Sequence, residues 1–113
     1  MTWDHPDALD AVVAAARSHR VVFENEQVRV LEVCVEPGEH EPEHTHRWPS
    51  VMVTDERARI RYFVGDELIF ESPDPLPDGP TPRASWLDPE GPHSVENIDT
   101  VRLHALRFEL KQG

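Results

Sequence analysis

The stretch Pro37-Gly38-Glu39-His40-Glu41-Pro42-Glu43-His44-Thr45-His46 decides how the chain is read. Pro37-Gly38 closes one apolar run, residues 28–36, and another begins at Ser50, so the polar segment between them joins two strands. Side chains alternate along a strand, which projects His44 and His46 from one face, within reach of a single cation, while Thr45 faces away. Imidazole suits zinc, copper, iron and nickel, so the pattern leaves the metal open. His-x-His also occurs in solvated loops; a second cluster, Pro89-Glu90-Gly91-Pro92-His93-Ser94-Val95-Glu96-Asn97, makes the ligand reading the stronger one. There Pro and Gly shape a turn before a strand and place His93 at its mouth. In a closed barrel two distant strands bring a third imidazole against the first pair.

Outward from this stretch the chain breaks into short segments. Residues 6–17 read as a helix: Pro6 suits its first turn, Asp7 and Asp10 complement its positive end, and Arg17 its negative end. Leu9, Val12, Val13 and Ala16 follow the spacing of one buried stripe. From Arg20 the period changes to that of strands, over 20–24, 28–36, 50–54, 58–64, 67–71, 83–87, 94–98 and 100–110. Glu24-Asn25-Glu26 and Gly65-Asp66 read as turns, and residues 72–82, with five prolines, as a loop. The expectation is a mainly β chain, a lead-in and helix over 1–19 followed by one jelly-roll barrel of about eight strands over 20–113.

Composition bounds the function. With 113 residues, 38% of them hydrophobic, the chain is one globular domain; eleven prolines argue against a helix bundle. The 22 acids against 11 bases give a formal charge of −11, which disfavours phosphate backbones and anionic lipid surfaces, so neither nucleic acid nor membrane is expected as a partner. One cysteine, Cys34, excludes an intrachain disulfide and a cysteine zinc cluster. Met1–Asp10 carries three acids and no apolar core, so no secretory signal is expected, and the cytoplasm is the expected compartment.

The two clusters resemble the two motifs of the cupins. Gly38, five residues and His44-Thr45-His46 look like the first; Pro89-x-Gly91-x-His93, three residues and Asn97 look like the second, one residue shorter between Gly and His. The likeness covers roughly residues 20–110. The run Phe23–Val33 followed by His44–Ser50 is similar to a subgroup of single-domain cupins, some named for β-alanine degradation. The resemblance implies a cupin barrel holding a divalent ion (Fe, Ni, Mn, Co or Zn) through His44, His46 and His93. The family's motif places a glutamate shortly after the second histidine, where this chain has Ser50 and Val51. Three outcomes stay open: a three-histidine site carrying the full +2 charge, a carboxylate supplied from elsewhere (Glu41 or Glu43), or a vestigial site.

Other residues divide between pocket and scaffold. Glu41, Trp48, Arg61 and His104 are candidates for the pocket wall or the surroundings of the ligands, His104 because it is in phase with Leu106 and Phe108. Arg61 and its neighbours Arg57 and Arg59 also read as a solvated strand face, His40 as a surface or mouth residue, Cys34 as a small core residue, and Asn97 as the tie of a strand end. His5 and His19 have no motif around them. Three functions stay open: a metal-dependent enzyme, with a ligand set resembling the thiol dioxygenase branch of the cupins, acting on a small organic acid or amine-derived metabolite; a non-catalytic small-molecule-binding module with a vestigial or structural metal; or a structural or interaction role through strand-edge dimerisation. No catalytic residue beyond the ligands stands out. A homodimer is expected.

Overall fold

A computed structural model describes residues 3–111. Nine strands follow a short lead-in: β1 His19–Glu24, β2 Val28–Val35, β3 His44–His46, β4 Ser50–Glu56, β5 Ile60–Val64, β6 Glu67–Glu71, β7 Arg83–Leu87, β8 Glu90–Asn97 and β9 Leu103–Leu110. They form two sheets, one in the order β1-β2-β9-β4-β7 and one in the order β3-β8-β5-β6. The expected barrel is not closed: the sheets face each other as two layers, with separate edge strands. The ninth strand is β3, too short to be counted as a strand from its polar sequence.

Two positions need the left-handed backbone region and carry glycine. Gly38 at φ +80° turns the chain after β2, and Gly65 at φ +60° makes the β5–β6 hairpin. Asn97 ties strand ends as expected, its amide donating to the carbonyls of Val35 and Val101, both at 2.9 Å.

The helix expected over residues 6–17 is mostly absent. A 3-10 turn at Asp7–Leu9 leads into a single α-helical turn, α1, at Ala11–Ala14. Asp10 caps it, accepting from Val12 N at 3.2 Å, and Arg29 holds the same carboxylate at 3.0 Å. The chain leaves helical conformation at Ala15 because Ser18 and His19, both buried, enter the space between the sheets. An isolated helix this short is marginal, so tertiary contacts decide its length. The buried residues are Ala11 and Ala15, not the expected stripe; Val13 is exposed. Their small side chains let the lead-in pack against β3, where Asp10 bridges Thr45, and Thr45 is thereby buried rather than turned to solvent.

The core lies on the inner face of the five-stranded sheet, where Leu31, Val33, Val35 and Ala105 pack with Val12, Met52 and Leu103. This face sets the phase of β9. Val33 pairs with Ala105, Leu31 with Arg107 and Arg29 with Glu109, so the inward residues of β9 are Leu103, Ala105, Arg107 and Glu109. His104, Leu106 and Phe108 point outward, opposite to expectation. A shift of one residue exchanges the two faces of a strand. Hydrophobicity alone selected the wrong one because the outer face is apolar too. Cys34, also expected in the core, shares that outer face and lies 3.3 Å from Glu36.

Candidate metal centre

The pairing of β3 with β8 assembles the site. His44 is the direct partner of His93, and His46 that of Glu90, with an irregularity between them. Directly opposed residues hold their side chains about 5 Å apart. The ring centroids accordingly lie 4.5 Å apart for His44–His93, 5.2 Å for His44–His46 and 5.6 Å for His46–His93. All three rings are buried. The three expected rings are thus neighbours, although the ligand atoms within 4.8 Å of one another divide them between two sets.

His19, at the start of β1, brings a fourth ring, with centroids 4.8 Å from His44 and 5.2 Å from His46. The ligand atoms within 4.8 Å of one another form two overlapping sets, His19–His44–His46 and His46–Glu90–His93, joined at His46. Both His19 and Glu90 escaped the sequence reading. Glu90 lay inside the second motif, but its place opposite His46 depends on strand register. His19 carried no sequence signal at all.

Hydrogen bonding orients each ring. Nδ1 lies 2.8 Å from the Pro42 carbonyl in His44, 2.7 Å from the Gly91 carbonyl in His93, 3.2 Å from the Ala15 carbonyl in His19 and 2.9 Å from Glu109 Oε2 in His46. Carbonyls and carboxylates accept, so Nδ1 carries the proton and donates, leaving the Nε2 lone pair free for a cation. Burial, with the neighbouring imidazoles and Arg107 adding to it, disfavours the charged form of three rings: it lowers His44 to about 4 and takes His19 and His46 well below the usual imidazole range.

Carboxylates stand where the missing motif glutamate would act. Glu41 Oε1 lies 4.0 Å from His44 Nε2, and Glu90 Oε2 lies 3.5 Å from His93 Nε2. Their environments differ. Burial pushes Glu41 up to about 7, against the pull of the Ser18 hydroxyl, which donates to it. Burial opposes ionisation of Glu90 too, but Arg107 at 2.7 Å, His93 and the Tyr62 hydroxyl, also at 2.7 Å, overcome it and hold this carboxyl down at about 2. Tyr62 stacks on the His93 ring, centroids 5.0 Å apart and nearly parallel. Ser50, in the motif position, is fully buried and its hydroxyl has no hydrogen-bond partner among the described residues; Glu43 is exposed.

A cavity of about 240 Å³ opens beside the imidazoles. Its polar end is made by His19, Glu41, His44, His46, Glu90 and His93, and its far wall by Val33, Val35, Met52, Ile60 and Leu103. A second, more open space of about 370 Å³ adjoins it at Met52 and Ile60 and reaches Leu76 in the proline-rich loop. Four imidazoles that turn Nδ1 to other acceptors, two carboxylates and an adjoining cavity make a donor set that fits a divalent cation of the zinc, iron or nickel type.

Of the four accessory candidates, only Glu41 lines the cavity. Trp48 lies under the guanidinium of Arg29, 5.0 Å from the ring centroid, and beside Arg47 and Lys111, away from the site. Arg61 pairs with Glu71 at 2.8 Å and Glu96 at 3.6 Å on the outside of the second sheet, where strand alternation turns Tyr62 inward in its place. His104 sits outside as well, between Asp55 at 2.6 Å and Glu32 at 2.8 Å. His40, expected at the surface, is exposed and bonds Ser94 at 2.9 Å.

No family model matches the chain, and no curated protein matches it. Solved structures do. A cupin domain from Bordetella pertussis is similar at 18% identity, with a TM-score of 0.67 over 83% of this chain and 92% of that one. An RmlC-like cupin family protein with a double-stranded β-helix fold from Methanocaldococcus jannaschii follows at 12%, 0.55, 81% and 77%. A cupin 2 conserved barrel domain protein from Salinispora arenicola stands at 15%, 0.51, 80% and 71%. None of these likenesses points to β-alanine degradation. At such identities they speak for architecture alone: the chain has a cupin-like, double-stranded β-helix type of fold, and its buried His/Glu cluster is built so that it could hold a metal.

Proposed function

We propose that this protein binds one divalent cation through His44, His46 and His93, assisted by His19 and by Glu90 or Glu41, and presents it to a small organic molecule in the adjoining cavity. The observation that carries this reading is the orientation of the four rings, each giving Nδ1–H to a separate acceptor and keeping Nε2 free in buried space. Metal-ligating histidines show this arrangement. A cation held there supplies Lewis acidity toward a carbonyl, a carboxylate or a water in the cavity. The protein's own part is to keep His19, His44 and His46 neutral, exclude bulk water with the valine, methionine and leucine wall, and hold Glu90 ionised. This suits a metal-dependent enzyme acting on a small organic acid or amine-derived compound, with oxygenase-like or isomerase- and hydrolase-like chemistry both accommodated. The subgroup resemblance to cupins named for β-alanine degradation is consistent with such a substrate.

Elemental analysis of the purified chain tests the reading. The expected result is close to one equivalent of a first-row divalent metal, lost in His44→Ala and His93→Ala and kept in His40→Ala. A wild-type chain that isolates without metal, and whose melting temperature ignores added Fe, Ni, Mn, Co and Zn, belongs instead to the non-catalytic binding class.

A homodimer also belongs to this proposal, with a definite surface to support it. Cross-strand pairing lines up Trp86, Val51, Phe108, Val30 and Phe23 in one row across the outer face of the five-stranded sheet. Trp86 and Phe23 are more than half exposed. The adjacent charges are internally paired, Arg20 with Glu32 and Arg102 with Glu56. In a chain of charge −11, such a face is where two copies meet with the least local repulsion.

A further inference from the structure

We infer that Arg107 is the receptor for the carboxylate of a small, otherwise apolar acid bound in the cavity. This rests on the cavity reading above and deepens it by naming the anchoring group and the class of ligand.

Arg107 projects inward from the central strand β9, is 4% exposed and lines the cavity. A guanidinium offers five N–H donors in a planar fork. Its single hydrogen bond among the described residues is from Nη2 to Glu90 Oε1 at 2.7 Å, and its Nε is buried without a partner. The other buried arginine is the internal contrast. Arg29 gives Nε to Glu109 at 2.6 Å and Nη2 to Asp10 at 3.0 Å, and its Nε is satisfied. Arg29 is a structural tie; Arg107 lines the cavity with guanidinium donors that no acceptor among the described residues takes up.

The fork matches a carboxylate or a phosphate in bidentate fashion. Arg107 is the one lysine or arginine of the cavity wall, and Glu90 and Glu41 share that wall. Glu90 stays ionised there, so the metal-free chain favours a monocarboxylate over a dianion. Val33, Val35, Met52, Ile60 and Leu103 require an apolar body. About 240 Å³ lies below the roughly 300–1,000 Å³ of pockets for drug-sized ligands, which suits a short chain; a longer one would extend into the adjoining space at Met52 and Ile60.

Isobutyrate and its neutral isostere isobutyramide are titrated calorimetrically into the full chain, metal-free and zinc-loaded. The expected result is a preference for isobutyrate of about tenfold or more in both forms, as a charge-assisted fork requires. Arg107→Gln brings the ratio to about one, and Arg107→Lys keeps only part of it. Glu90→Gln, which frees the guanidinium, tightens isobutyrate in the metal-free chain by about tenfold. If Arg107→Gln does not fold, Arg107→Lys and Glu90→Gln carry the test, since misfolding cannot produce tighter binding. Equal affinity for the two compounds overturns the proposal, as does a preference seen only with zinc and retained in Arg107→Gln, which puts the carboxylate on the metal. Failure of the metal reading shows separately, as no zinc uptake by the wild type while the metal-free preference persists.

Discussion

At the scale of single residues, Glu109 links stability to the site. It is fully buried, accepts from Arg29 Nε at 2.6 Å and from His46 Nδ1 at 2.9 Å, and so fixes the tautomer of a candidate ligand. Removing one member of a buried ion pair leaves the other charge uncompensated. Glu109→Ala is therefore expected to cost about 3–5 kcal/mol in chemical denaturation. Glu109→Gln keeps the shape but weakens the hold on the His46 ring, and metal affinity should fall by about 10–100-fold in a competition titration with a chelator. An unchanged affinity would separate Glu109 from the metal site. His44, His46 and His93 were legible in the sequence, because alternation and motif spacing are local properties. His19, Glu90 and Arg107 were not. Each matters only through what the other sheet or the partner strand places opposite it.

Among the elements, β9 teaches the most. It lies between β2 and β4, and the residues it turns inward include Arg107 and Glu109, charges that a reading by hydrophobicity assigns to solvent. The two charges two residues apart were visible, but with both faces of the strand carrying apolar residues no local signal chose between the phases. The same phase puts His104 outside, clamped by Glu32 on β2 and Asp55 on β4. Hydrogen bonds first to Glu32 and then to Asp55 raise its pKa above the usual imidazole value. A group whose folded pKa is raised stabilises the fold fully below its unfolded pKa, and that contribution disappears as pH rises through the folded value. The difference in urea midpoint between wild type and His104→Gln is thus expected to be larger at pH 6 than at pH 9. A difference that grows with pH instead would contradict the clamp. The lead-in makes the complementary point: α1 is one turn long because Ser18 and His19 are worth more between the sheets than in a continued helix.

For the molecule as a whole, two facing sheets bury the cluster between them and leave an apolar row on one outer face. The row crosses all five strands of its sheet. Light scattering is expected to give twice the mass of one chain, falling to that of one chain in a Phe23→Glu, Trp86→Glu double variant while zinc binding stays intact. A wild-type mass of one chain would remove the dimer. The placement of this face opposite the site lets association and metal binding vary independently.

The sequence by itself determined a mainly β chain, most of the strands, the turns at Gly38 and Gly65, and the gathering of three named histidines. These depend on periodicity, turn chemistry and motif spacing, which act over a few residues. Only the tertiary structure decided that the sheets stay open, that the helix shrinks to a turn, that β9 faces Arg107 inward, and that His19 and Glu90 join the imidazoles. Those outcomes depend on strand register and on competition for buried space between segments far apart in the chain, where one residue of slip exchanges every inward side chain for an outward one.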